Sequence, residues 1–409
     1  MILAIYMEII MAKASNTNRK PVIITFKPKD KRSTSKDKQE ILASAIDDGD
    51  INFVTAETVS RQARPVASGE DLMKVGYDVN RYEAPILMAN LTQAEIDKLK
   101  KDKNVVRVEE DGEMHALDGP DALAQTTPVG ITQVKAPAAW PSSQGEGIKV
   151  FICDTGIDSD HPDLVANLRT GKSFVPTESS TEDFHGHGTH CAGTVAAVHN
   201  NIGVVGVAPY AYLYPVKVLS STGSGQWSWL IAALDWIMSK KGARVASMSL
   251  GGGGAPQALG DMCEAAYDDG VLLVAAAGNS GPGNNTVGFP AKYPHVMAIS
   301  AVDSADIIAG FSSRGPEVEV CAPGVSVLST TRGGGYGTMS GTSMACPHVS
   351  GVAALAWGSH RSCTNKQVRW LLNTFVDKVG DQDPEKYGKG RVDANASSFW
   401  IGTPPEHTL

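Results

Sequence analysis

Apolar positions along this chain follow two regimes. Up to about residue 117 they come in short, alternating runs. Beyond about residue 123 they form longer, almost unbroken ones. In the first stretch Pro21-Val-Ile-Ile-Thr-Phe26 reads as a strand and Lys36 to Ile46 as a helix. Leu72 to Val79 and Ala84 to Leu91 read as strands turning at Asn80-Arg81. Thr92-Gln-Ala-Glu95 is a capping box, in which each side chain satisfies a backbone N–H at the helix start, and it opens a helix to about Lys101. Asn104 to Asp111 supplies the last strand. Strand-helix-strand-strand-helix-strand is the ferredoxin-like order, here enlarged by a polar stretch from Asp47 to Glu70.

The second stretch alternates differently. Ile148 to Cys153, Tyr212 to Val218, Arg244 to Met248, Val271 to Ala276 and Val296 to Val302 are apolar on both faces of a strand. Ser228 to Met238, Leu259 to Tyr267 and Thr342 to Trp357 carry helical patterns. Fully apolar strands separated by helices predict an α/β domain with a parallel sheet and helices on both faces. Chemistry in such sheets gathers at the carboxyl ends of the strands. The expected organisation is a leading segment 1–20, a small α+β domain 21–117, an α/β domain 118–398 and a tail 399–409. Pro404-Pro405 reads as disordered.

Bulk properties narrow the picture. The 409 residues carry a net charge of -8, and no basic stripe of the kind nucleic acid needs runs through the second half. The early basic clusters, Lys27 to Arg32 and Lys36 to Lys38, read as a solvated face. No apolar run approaches the ~18 residues of a membrane span. The first twelve residues are apolar but include Glu8 and lack a basic start, so they fit a secretory signal poorly. No nucleic-acid or membrane partner is expected. Of the six cysteines, Cys153 and Cys191 read as buried thiols. The pairing of Cys263, Cys321, Cys346 and Cys363 stays open.

Three segments carry chemistry. Val150 to Gly156 places Asp154 at a strand end, His187-Gly-Thr-His190 places a histidine in a glycine-rich turn, and Gly341-Thr-Ser-Met-Ala345 places Ser343 at a strand-to-helix elbow where Gly341 supplies turn dihedrals. A serine nucleophile, an imidazole base and an orienting carboxylate are the parts of an acyl-transfer site. The three histidines of 183–190 lack the spacing of a zinc helix. The glycines 251–254 lack the lysine of a phosphate loop. Ser343 lacks the Gly-x-Ser-x-Gly and the Ser…Asp…His order of an α/β-hydrolase esterase.

In these segments and their Asp…His…Ser order, the chain resembles the subtilisin-like serine proteases, the subtilases. The resemblance implies a serine endopeptidase that hydrolyses peptide bonds through an acyl-enzyme on Ser343, with His187 as base and Asp154 as its orienting partner. Ala275-Ala-Ala-Gly-Asn-Ser280 matches the oxyanion segment, with Asn279 as donor. Ser249, Leu250, Gly251 and Gly252, with Ala276, Ala277 and Gly278, match the walls of the pocket before the scissile bond. Gly288 matches its floor, which implies large apolar side chains there. Trp227 and Leu230 match a second apolar pocket upstream. His187 to Thr194 also matches a cysteine-bearing string of proteinase K-like members.

Other implied features concern metal and maturation. Gln125, Asp163, Val198, Asn200, Ile202 and Val204 match a structural Ca²⁺ site. The 21–117 domain matches an inhibitory prodomain that acts as intramolecular chaperone and makes the protein a self-processing zymogen, which leans towards export and a monomeric protease. The inhibitory-tail match puts self-cleavage between Leu117 and Asp118, while Ala124 to Gly130 matches a mature start after Leu123. The first is favoured because the tail reaches the groove directly from its strand. A catalytically inactive peptide-binding scaffold is the alternative, opposed by the intact catalytic positions.

Overall fold

The computed structural model describes residues 19–27, 41, 78–79, 86–116, 120–121 and 127–407. Two compact units divide the chain, Met1–Asp111 and Gly112–Leu409. In the first, strands β1 (Arg19–Phe26), β2 (Asp78–Val79), β3 (Ile86–Thr92) and β4 (Val105–Glu110) form an antiparallel sheet in the order β2-β3-β1-β4. Val22, Ile24, Leu87, Leu91, Ile96, Leu99, Val105 and Val108 bury its apolar face. The helix Gln93–Leu99 begins at the capping box, where both reciprocal bonds of Thr92 and Glu95 are made. It stops two residues short of Lys101. The helix expected over 36–46 lies outside the described residues apart from position 41.

The unit boundary falls after Asp111, not after residue 117. Residues 113–116 form β5 (Glu113–Ala116), which pairs only with strands of the second unit. The following strand is β6 (Pro120–Asp121).

The second unit is built on β7 (Lys149–Asp154), β8 (Lys172–Ser173), β9 (Tyr212–Lys217), β10 (Ser224–Gln226), β11 (Arg244–Met248), β12 (Leu250–Gly251), β13 (Val271–Ala276), β14 (Val296–Val302), β15 (Val318–Pro323), β16 (Val327–Thr331), β17 (Gly335–Met339), β18 (Val376–Asp377) and β19 (Arg391–Val392). Nine of these make one sheet, β18-β19-β15-β14-β13-β11-β7-β9-β8. Every pairing in it is parallel except β18 with β19. Successive strands leave β7 first on one side and then, from β11 onwards, on the other. The order reverses at β7, and Asp154 ends that strand, where an α/β sheet opens a crevice.

Strands β11, β13 and β14 are buried at every residue, as their apolar sequences predict. The helix Thr342–Ser359 is buried from Thr342 to Trp357, which explains its lack of a polar stripe. The helix His187–Ala196 is a correction, since its glycine-rich sequence read as a turn. The helix packs too closely for anything larger. A Cβ at Gly193 would lie 2.1 Å from Thr330 Oγ1, and one at Gly188 would lie 2.1 Å from the Gly156 carbonyl.

The tail is a second correction. Pro404 is buried and its carbonyl accepts from Gln367 Nε2 at 2.8 Å, while the His407 N–H donates to Lys366 O at 3.2 Å. Trp400 packs edge-on against Trp370, with ring centres 5.8 Å apart. Apolar stacking and backbone bonds hold this proline-containing segment, so composition misjudged it. All six cysteines are thiols, and Cys153, Cys191, Cys263, Cys321 and Cys346 are buried. Among the described residues no helix is long and apolar enough to cross a membrane.

Candidate active site

Asp154, His187 and Ser343 arrive from β7 and from the starts of two helices, and all three are fully buried. His187 Nδ1 and Asp154 Oδ1 are 2.7 Å apart, and the Thr155 N–H donates to the same oxygen at 2.7 Å. Burial opposes a charged imidazole. The facing Asp154 carboxylate, with Cys191 behind it, outweighs burial and holds the His187 pKa well above its ordinary value. Cys191 lies one helical turn beyond His187, with Sγ 4.0 Å from His187 Nδ1 and 3.5 Å from the Ser343 carbonyl. That thiol sits between the two helix starts.

The Ser343 hydroxyl donates to Ser249 O at 3.2 Å, and Ser249 Oγ donates to Ser343 O at 2.8 Å. Gly341 has φ 162°, which is extended backbone open to any residue, so the turn dihedrals expected of it are absent. The elbow is held instead by Gly341 N–H donating to Gly324 O at 2.8 Å. Ser343 is the second residue of its helix, a position whose N–H has no partner within the helix. Asn279 Oδ1 accepts from Thr342 N and Thr342 Oγ1, each at 3.0 Å. With the oxygen committed, the Asn279 amide nitrogen is the group left for the cleft. The Asn279 amide nitrogen and the Ser343 N–H are thus the two donors that these bonds leave uncommitted, the type of group that stabilises a developing oxyanion.

His190, buried three residues after the base, has Nε2 3.0 Å from Val327 O and 3.2 Å from Gly337 O. Burial, then the nearby His187 charge, pushes its pKa down to about 3. It is a neutral clamp on the β16–β17 hairpin.

The pocket residues converge. Gly252 and Phe289 exchange backbone hydrogen bonds at 3.0 Å, and the Gly288 N–H donates to Ala277 O at 2.9 Å. This seats Gly288 between the 249–252 and 276–278 segments. A Cβ on it would come within 3.2 Å of Gly252 O. Trp227 is fully buried and its Nε1 donates to Gly254 O at 2.9 Å; Leu230 and Leu250 are also fully buried.

Residues 113–116 lie between the two edges of the groove. Gly225 pairs with Met114 and Ser224 with His115 on one side, and Gly251 pairs with His115 and Leu250 with Ala116 on the other. Beyond the gap, Pro120 pairs with Met339 and Asp121 with Thr338.

Asp163, fully buried, accepts from Asn200 Nδ2 at 2.9 Å on one oxygen and from the Val204 N–H at 2.8 Å on the other. The Tyr336 hydroxyl bonds to it as well, and burial together with Asp163 raises that phenol to about 12. The 198–204 loop therefore closes on one buried carboxylate. Gln125, Leu117 and Asp118 lie outside the described residues.

The sequence profile of the Subtilase family matches residues 145–390, a span holding Asp154, His187, Asn279 and Ser343. The chain belongs to the subtilase family. It is 48% identical over 314 residues to subtilisin E of Bacillus subtilis, covering 76% of this chain and 80% of that relative. It is 49% identical over 279 residues to a subtilisin of Bacillus pumilus, covering 67% of this chain and 100% of the relative. It is 41% identical over 357 residues to M-protease of Shouchella clausii, covering 85% and 90% respectively. This subtilase is a serine endopeptidase, a hydrolase.

Sequence reasoning missed Thr342 and Asp183, which position Asn279 and the His187 helix. Their signal was present: a hydroxyl beside the nucleophile, and an acid four residues before the base.

Proposed function

We propose that this subtilase is made as a zymogen that cleaves itself between Leu117 and Asp118, then acts as an exported, monomeric endopeptidase of broad specificity favouring a large apolar residue before the scissile bond. The carrying observation is the register of β5. It runs Gly251 with His115 and Leu250 with Ala116, so the strand's last described residue is the one before the proposed Leu117–Asp118 bond, and its partner is the chain neighbour of Ser249. Ser249 O is the group that the Ser343 hydroxyl contacts at 3.2 Å. Pro120 and Asp121, just past the proposed cut in sequence, pair with Met339 and Thr338 of β17. A start at Ala124 then reflects later trimming. Residues 21–111, with their ferredoxin-like strand order, fit an inhibitory prodomain whose chain continues into the groove-filling strand. The absence of side chains at Gly251, Gly252, Gly278 and Gly288 supports the preference for a large residue there.

In the reaction His187 takes the Ser343 proton as the hydroxyl attacks the carbonyl, Asp154 stabilises the imidazolium, and Asn279 with the Ser343 N–H receives the oxyanion. His187 then protonates the leaving amine, and water attacks the acyl-enzyme by the reverse path. A structural Ca²⁺ is part of the proposal. The Asp163 carboxylate, the Asn200 and Gln125 amides and the Val198, Ile202 and Val204 carbonyls would supply an all-oxygen set suited to a hard cation. Asp163 supports it by being buried with only neutral hydrogen-bond donors around it among the described residues.

The test is an intact-mass time course of purified precursor, with and without Ca²⁺, followed by N-terminal sequencing. The expected first product begins at Asp118, Ser343→Ala stays whole, and Ca²⁺ raises the melting temperature of wild type but not of Asp163→Asn. Products beginning only at Ala124, or a peptide panel cut faster after Lys or Glu than after Phe or Leu, would overturn the corresponding part.

A further inference from the structure

We infer that Asp183 is the residue that positions His187 against Asp154. His187 opens a helix whose cap residue, Gly186, has no side chain to offer, and the first-turn N–H groups of a helix lack partners of their own. Asp183, only 3% exposed, supplies them from outside. Its Oδ1 accepts from the Gly186 N–H at 2.8 Å and the His185 N–H at 2.9 Å; its Oδ2 accepts from the Thr189 N–H at 2.9 Å and the Thr189 hydroxyl at 2.6 Å.

The fifth bond reaches the other catalytic segment. The Thr155 hydroxyl donates its proton to Asp183 Oδ1 at 2.9 Å and accepts the Gly188 N–H at 2.9 Å. Thr155 is the chain neighbour of Asp154, and Gly188 that of His187. A single carboxylate thereby ties the strand end carrying the orienting acid to the helix turn carrying the base. Its negative charge at the helix N-terminus adds to the hold. Asp183 contacts neither the hydroxyl nor the oxyanion donors, so its effect runs through geometry. This role of Asp183 rests on the endopeptidase chemistry and is independent of the maturation site and of Ca²⁺.

Asp183→Asn removes the charge and puts N–H groups where acceptors stood. On a small chromogenic peptide, kcat should fall about 10²-fold with KM within a factor of about two, the scale of an ångström-sized misplacement. The acid limb of kcat/KM should also move to lower pH, because a misaligned Asp154 stabilises the imidazolium less. The other groups facing that ring, Cys191, His185 and His190, are untouched by the change. A purely structural loss would leave the limb in place. Thr155→Val, which cuts the bridge while keeping Asp183, should shift both readouts the same way, and Thr155→Ser should restore them. Thr155→Val carries the test if Asp183→Asn does not fold. Unchanged kcat, or lowered kcat with an unmoved acid limb, would overturn the assignment.

Discussion

Asn279 is held by Thr342, whose N–H and hydroxyl both donate to its side-chain oxygen at 3.0 Å. The same threonine hydroxyl accepts the Gly278 N–H at 3.1 Å, so one residue next to the nucleophile fixes the whole 278–279 segment.

From this, Asn279→Ala should lower kcat by roughly 10²–10³, the range already measured on a subtilisin, with little change in KM. Thr342→Val keeps the backbone donor but loses the hydroxyl, so its kcat loss should be smaller and again without a KM change. Steady-state kinetics on one peptide decides both. A large KM effect would mean that the pair serves binding and not the oxyanion.

The raised His187 pKa has a definite sign. Catalysis needs the neutral imidazole, and Asp154 favours the charged form. Activity should therefore climb with pH through a value above the ordinary histidine range of about 6.5. Asp154→Asn should bring that limb down while cutting kcat by roughly 10⁴, the scale found for such a change in another serine protease. A kcat/KM profile of the wild type with its limb at or below the ordinary value would contradict the geometry.

Acid stability should be governed by two other histidines. Burial lowers His348 to about 4, and burial with the His187 charge lowers His190 to about 3. For both, the unfolded chain takes up protons first. Their full contribution is present above about 6.5 and drains away as pH falls towards about 4 and about 3. His187 has the opposite shift, so its contribution is complete below its unfolded value and adds no slope in that window. Urea unfolding of Ser343→Ala between pH 7 and 4 should show falling stability, and His348→Gln should flatten the curve. Equal slopes would exclude His348 as a source.

The floor of the pocket predicts a change of specificity. A Cβ at Gly288 stands 3.2 Å from Gly252 O, so Gly288→Val narrows the slot between its walls. The ratio of kcat/KM for Phe over Ala before the cleaved bond should fall roughly 10–200-fold, the range for small volume changes in apolar pockets. An unchanged ratio on a peptide panel would place the selective contacts elsewhere.

Much of this architecture is written locally. Arg244–Met248, Val271–Ala276 and Val296–Val302 are strands at the bounds their apolar runs suggest, and Thr92-Gln-Ala-Glu95 caps its helix as its chemistry requires. The helix of His187 is not legible that way. Gly188, Thr189, Gly193 and Thr194 are weak helix formers, and the turn exists because β16 and the Ser343 helix pack against it. The helix Asn365–Thr374 was missed although Thr364 and Gln367 form a full capping box. The hairpin of β16 and β17 likewise had its signal in Gly333 and Gly334, both at positive φ. At the site, residue types announced the reactive groups. The bond from Thr155 to Asp183 and those from Thr342 to Asn279 join residues 28 and 63 positions apart in sequence, which no local pattern carries.

The buried sulfhydryls give this enzyme a clock of its own. Cys153, Cys191 and Cys346 lie beneath the three catalytic segments with at most 1% exposure, and burial keeps each of them protonated. An alkylating reagent needs both access and thiolate, so it reaches them only when the domain opens. Because no pair is crosslinked, reductant can stay in every buffer, and the rate of label uptake at each position reads how often that part of the catalytic centre comes apart.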